Sequence, residues 1–147
     1  MRVLIDTNIL LRSAQPNHPL YPQATSAVAK LMRDRHEVFV CAQNVVEFWN
    51  VATRPAELNG LGLSQEEALL EVSSIEGFFT LLPDVPSIYA TWKEVVREHR
   101  VQGVKVYDTR LVAVMTVYRV DSVLTFNAAD FKRYTSIAIL HPPLTVP

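Results

Sequence analysis

The sequence predicts an α/β fold: a three-layer α/β/α domain with helices on both faces of a central, mostly parallel sheet. Three observations point there. Short β-rich runs alternate with segments of helical spacing along the chain, the pattern of strands joined by right-handed helical crossovers. The 147 residues, 49% of them hydrophobic, suit one core and leave no room for a second, so residues 1–147 read as a single domain. The chain also opens on Val3-Leu4-Ile5-Asp6-Thr7-Asn8-Ile9-Leu10, an apolar run that breaks at a carboxylate into a second apolar run. That is a buried strand turning into a helix, and in an open α/β sheet such a break faces the crevice where ligands bind.

The elements follow in order. Arg2 to Ile5 is the first strand and Thr7 to Ser13 a short helix. Pro16, Pro19 and Pro22 impose an irregular loop from Gln15 to Pro22. Pro22 also suits the first turn of a helix that carries Ala24, Val28, Leu31 and Met32 at helical spacing. Glu37 to Ala42 is rich in β-formers and reads as the second strand. Gln43 to Thr53 returns to helical spacing and stops before Arg54-Pro55, because a residue preceding proline avoids the α region.

Glu57 to Leu63, with Gly60 and Gly62, is a loop. Ser64 and Glu67 have capping-box spacing and open a helix toward Phe79. Thr80 to Leu82 is a short strand. Ser87 is expected to cap a helix running to about Val101, with Gly103 just beyond its end. Tyr107 to Tyr118 is a strongly apolar helix, Ser122 to Phe126 a strand followed by a helical turn through Phe131, and Ser136 to Leu140 the last strand.

Composition excludes several classes. A net charge of −1 argues against general, charge-driven nucleic-acid binding, which goes with a strongly basic domain. It leaves room for a local basic surface around an acidic site, with Arg12, Arg54, Lys93, Arg97 and Lys105 among the candidates. Cys41 is alone, so no disulfide framework exists; it sits in a buried strand as packing. The opening residues lack the shape of a signal peptide and the apolar runs fall short of a membrane span, so the expectation is a cytoplasmic protein with no membrane partner. His18, His36, His99 and His141 are scattered and make no zinc set. With only four glycines and no phosphate-cradling motif, a nucleotide cofactor is not expected.

The chemistry rests on acids. Asp6, Glu47, Asp108 and Asp130 each lie beside an apolar segment. Each also has a plain structural explanation: Asp6 and Asp108 as helix N-caps, Glu47 as the far member of a capping box with Asn44, Asn127 and Asp130 as turn-formers. Together they look different. Asp6 and Asn127 follow strands of one parallel sheet and so share an edge, and Glu47 sits among Val45, Val46, Phe48 and Trp49 with no Lys or Arg within a helical turn. Ionised carboxylates are rarely left in such surroundings without a partner. A divalent cation is one, and magnesium, which prefers oxygen ligands and keeps waters for a substrate phosphate, suits phosphodiester chemistry.

Four stretches in this order resemble the PIN-domain ribonucleases, and among them the VapC toxins of prokaryotic type II toxin–antitoxin pairs: Leu4 to Leu10, Asn44-Val45-Val46-Glu47-Phe48, Tyr107-Asp108-Thr109-Arg110-Leu111, and Leu124 to Phe131. The resemblance implies that Asp6, Glu47 and Asp108 hold Mg²⁺ or Mn²⁺, with Asp6 and Asp108 as direct ligands. Either Asn127 or Asp130 completes the set. Thr7, Asn8, Thr125 and Arg110 are implied to orient ligands or substrate. The implied activity is metal-assisted endonucleolytic hydrolysis of RNA, of the tRNA or rRNA class, by a homodimer silenced by a VapB-like antitoxin. Leu69, Phe78, Phe79 and Tyr89 are candidates for those interfaces or for the core. Two other readings stand beside this one. One is a non-catalytic PIN-like binding module; the other, a haloacid-dehalogenase-like phosphatase, needs a second Asp where Asn8 stands.

Overall fold

The computed structural model describes residues 1–144. Five strands form one sheet in the order β3-β2-β1-β4-β5, and all four pairings are parallel. The strands are β1 (Arg2–Ile5), β2 (Glu37–Cys41), β3 (Thr80–Leu82), β4 (Ser122–Leu124) and β5 (Ala138–Leu140). Six α-helices connect them: α1 (Thr7–Ser13), α2 (Tyr21–Arg33), α3 (Ala42–Thr53), α4 (Gln65–Phe78), α5 (Pro86–Glu98) and α6 (Val106–Tyr118). No helix among the described residues is long and apolar enough to cross a membrane.

Alternation along the strands divides the core of this one sheet between its two faces. Val3 and Ile5 of β1, with Val38 and Val40 of β2, pack under α1, α2, α3 and α4. Leu4, Phe39 and Cys41 point the other way, against Ile88 of α5 and Leu111 to Met115 of α6. Because both faces are covered, the central strands are apolar after their first residues Arg2, Glu37 and Ser122, rather than alternating with polar residues. Helix α6 is buried along most of its length, which explains why its sequence has almost no polar face.

The expected elements are all present, and the differences are local. The strand expected to reach Phe126 ends at Leu124, because Thr125 turns its hydroxyl to side chains across the sheet edge. The last strand starts at Ala138 rather than Ser136. Ser87 is not a cap: α5 begins at Pro86, whose missing N–H costs nothing in a first turn, and Val85 precedes it without a side-chain bond. The loop after Pro55 contains a single 3₁₀ turn, Ala56–Leu58. Leu69, Phe78 and Tyr89 lie on the surface, whereas Phe79 packs partly buried against the core on the Val3 face of the sheet.

Strand order decides where a site can form. From β1 the chain moves outward through α1 and α2 to β2, then to β3, and returns through α5 and α6 to β4 on the opposite side of β1. The connections leaving β1 and β4 therefore diverge, and open a crevice beyond their carboxyl ends. Asp6 follows β1 there, and Thr125 follows β4.

Candidate active site

Asp6 is 8% exposed and holds the centre of the crevice floor. It is the N-cap of α1, its Oδ1 accepting the backbone N–H of Thr7 at 2.8 Å. Its other oxygen accepts the Thr125 hydroxyl at 2.8 Å and the Asn8 side-chain amide at 3.2 Å. Thr125 is completely used: its Oγ1 also accepts from Asn8 at 3.1 Å and from the backbone N–H of Asn127 at 2.9 Å. Asn8 in turn accepts the Phe126 N–H at 3.1 Å, which ties α1 to the end of β4. Burial pushes the Asp6 carboxyl above its usual range, with the Thr125 and Thr7 hydrogen bonds pulling against it and the charge of Asp130 adding to the rise. Asp6 is thus a cap, as its simplest reading holds, and also a carboxylate held under electrostatic stress.

Glu47 is not the capping-box acid that its spacing to Asn44 suggests. The box closes one turn earlier, with Asn44 Oδ1 accepting the Cys41 N–H at 2.9 Å while Asn44 Nδ2 donates to Thr7 Oγ1 at 3.2 Å. Glu47 bonds no backbone group among the described residues. Its Oε1 accepts from Thr7 Oγ1 at 3.4 Å and from Gln43 Nε2 at 3.3 Å. Burial raises its carboxyl first, then the charges of Asp6 and Asp108, with the hydrogen bond from Gln43 opposing.

Asp108 is not a cap either, since α6 begins at Val106 and places it within the first turn. Its carboxyl rises to about 6, through burial first and then the charges of Asp130 and Asp6, partly offset by Lys105. Asp130 lies in the 3₁₀ turn Ala128–Phe131 and pairs with Lys105 Nζ at 2.7 Å. Asn127 is exposed, and its side chain caps nothing. The sheet edge therefore gathers Asp6, Glu47, Asp108 and Asp130 closely enough that neighbouring acidic charges add to the rise of the Asp6, Glu47 and Asp108 carboxyls. Among the described residues, no cation pairs with Asp6, Glu47 or Asp108.

The donor set fits a hard divalent cation: carboxylate oxygens, raised affinity for positive charge, and a floor of hydroxyl and amide groups that orient Asp6. No three acidic, histidine or cysteine side chains among the described residues form a closed cage. Such a cage is not required for magnesium, which binds through one or two carboxylates and retains water. Cys41 is fully buried and its thiol rises to about 11, so it is packing and not a nucleophile.

Of two further side chains at the site, Gln43 was missed in the sequence and Lys105 was named only as one of several candidate cations around it. Gln43 lies one turn before Glu47 on α3, and the four-residue spacing was the signal that would have found it. Lys105 stood among many surface cations until its contact with Asp130 distinguished it. Arg110 points to Gln43 Oε1 at 3.0 Å and to Asp84 Oδ1 at 3.1 Å, so its contacts lie behind the acids.

Fold and site together define a parallel α/β domain with an acidic crevice at its strand-order reversal. The PIN domain family matches residues 3–136, and the chain belongs to that family. Among solved structures, it is similar to VapBC2 from Rickettsia felis bound to a DNA fragment from its promoter, at 12% identity and a TM-score of 0.71, covering 96% of this chain and 98% of that one. VapBC-1 from nontypeable Haemophilus influenzae gives 13% identity and a TM-score of 0.67, covering 96% and 98%. Mycobacterium tuberculosis VapC20, a sarcin–ricin loop cleaving toxin, gives 12% identity and a TM-score of 0.65, covering 90% and 95%. At these identities the likeness is one of fold. No curated protein matches the sequence.

Proposed function

We propose that this protein is a divalent-metal-dependent endoribonuclease and the toxin of a VapBC-like toxin–antitoxin pair. The observation that carries the reading is the gathering of Asp6, Glu47 and Asp108 at one crevice, each raised by burial and by neighbouring acids and none with a cation partner among the described residues. PIN domains are in general nucleases, and one similar structure is an RNA-cleaving toxin. A structured RNA of the tRNA or rRNA class is the proposed substrate. Two of the similar structures are toxin–antitoxin complexes, which supports a VapB-like partner. A homodimer acting in the cytoplasm completes the proposal, with exposed Leu69, Phe78 and Tyr89 as candidate interface residues.

Asp6 and Asp108 would hold Mg²⁺, or Mn²⁺ in its place. When bound, the cation lowers the pKa of water and offsets charge developing on the phosphate. Asp6 is kept in a fixed orientation for this by Thr7, Asn8 and Thr125. Glu47, its carboxyl raised by burial and by Asp6, is suited to orient the attacking water and accept its proton. Asp130 completes the acidic ring in preference to Asn127, because its charge reaches both Asp6 and Asp108. Lys105, held by Asp130 at the rim, is placed to meet a substrate phosphate.

The test is incubation of antitoxin-free protein with total RNA, with and without EDTA, followed by mapping of cleaved ends. Discrete cuts abolished by EDTA are expected. RNA binding that is unaffected by EDTA and yields no cuts would identify a binding module instead.

A further inference from the structure

The geometry points to Gln43 as the positioning residue for Glu47, with its amide held in one orientation by Arg110 and Asp84; the catalytic half of this inference rests on the nuclease reading above. Four side chains from three parts of the fold stand in line: Asp84 from the β3–α5 connection, Arg110 from α6, and Gln43 and Glu47 from α3. Arg110 forms an ion pair with Asp84 Oδ1 at 3.1 Å and donates to Gln43 Oε1 at 3.0 Å. Gln43 Nε2 then donates to Glu47 Oε1 at 3.3 Å and to the backbone carbonyl of Tyr107 at 2.9 Å.

The orientation follows from donor chemistry. A guanidinium only donates, so the amide oxygen must face Arg110. Its two N–H groups are then left for two acceptors, and both are present. A flipped amide would set NH₂ against the guanidinium and oxygen against a carboxylate and a carbonyl, losing all three contacts. Asp84 holds Arg110 and thereby the amide.

Two consequences bear on the site. Both protein contacts of Glu47 fall on Oε1, which leaves Oε2 with no protein partner among the described residues. One oxygen is anchored and the other is available for a ligand or water. The same amide also grips the carbonyl next to Asp108, so it sets the approach of α3 to the first turn of α6, and with it the spacing of two acids. Arg110 thus reaches Glu47 only through Gln43.

The experiment uses the full chain as wild type, Gln43→Leu, Gln43→Glu and Arg110→Ala, with melting curves confirming that each variant folds. The first readout is the ¹H–¹⁵N side-chain amide of Gln43 in metal-free protein. Two resolved, rigid signals are expected in wild type, becoming mobile in Arg110→Ala. The second is steady-state cleavage of RNA: kcat is expected to fall ~10–100-fold in every variant, with KM unchanged. Gln43→Glu keeps the bridge to Arg110 but loses both amide donations, to Glu47 and to the Tyr107 carbonyl, and should lose as much kcat as Gln43→Leu. The decisive comparison is Gln43→Leu made in a Glu47→Gln background: a residue that acts through Glu47 costs no further kcat there, whereas a merely structural strut lowers it by the same factor as in wild type. A further loss of that size, or a change confined to KM, overturns the inference. Should wild type cut no RNA, the nuclease reading fails, and the amide signal then decides the orientation by itself: a Gln43 amide as mobile in wild type as that of exposed Gln65 overturns it.

Discussion

Replacing Asp108 with Asn should stabilise the metal-free protein at neutral pH while abolishing its activity. Asp108 has no ion-pair partner among the described residues, and its carboxyl is raised from 3.8 to about 6 by burial and by the charges of Asp130 and Asp6. A folded-state pKa above the unfolded value means that the fold holds the proton more tightly than the unfolded chain does. Stability therefore falls as pH rises from 3.8 to about 6, and the deficit is complete above that. The gap between the two values corresponds to about 3 kcal/mol. Solvent screening of a half-buried group reduces this, and the favourable place of an anion in a helix's first turn removes about 0.3–1 kcal/mol more. A net gain of about 1–2 kcal/mol remains for the variant, or a rise in melting temperature of roughly 3–6 °C. Circular-dichroism melts in EDTA at about pH 7.5 and about pH 4 measure it. The variant should melt higher at the first pH and level with wild type at the second. Added Mg²⁺ should raise the wild type and leave the variant unmoved. A variant that melts lower than wild type at neutral pH, or keeps its advantage in acid, would refute the placement of Asp108 in a charge-stressed site.

Three further expectations concern the neighbours of the acids. Thr125→Val removes the donor to Asp6 and the acceptor for Asn8 and Asn127, and should cost about 2–3 kcal/mol in urea unfolding. That loss should be larger at neutral than at acidic pH, because an ionised Asp6 needs the donor most. Lys105→Met takes away the cation that lowers Asp108, so the acid limb of the pH–rate profile should move to higher pH; an unmoved limb would separate Lys105 from the site. Asp130→Asn should reduce cleavage of RNA ~10–100-fold, and Asn127→Ala distinctly less, with the reverse order favouring Asn127 as the fourth group.

Much of the fold was legible because its signals are local. The strand at Arg2–Ile5, the proline-bounded loop before α2, the Ser64–Glu67 box and the apolar α6 each follow from residues within a few positions of one another. The misjudged details are also local, but they were settled by competition. Asn44 and Glu47 both had the spacing for a cap, and Asn44 took it because its amide also reaches Thr7 across the sheet edge. Thr125 left the strand because a buried carboxylate needed its hydroxyl. Asp108 lost its reading as a cap because α6 starts two residues before it.

By itself, then, the sequence determined the alternation of strands and helices, the two apolar faces, and the acids at the element junctions, since these depend on period and residue type. Only the tertiary structure decided what those acids meet. Thr125 and Asp6 lie 119 residues apart, Thr7 and Glu47 lie 40 apart, and Lys105 and Asp130 lie 25 apart. Such pairs form only once strand order sets β4 beside β1 and α3 beside α6's first turn, and no local pattern encodes that order. The partner of each carboxylate, and with it the charge left for a cation to balance, is a property of the packed sheet edge.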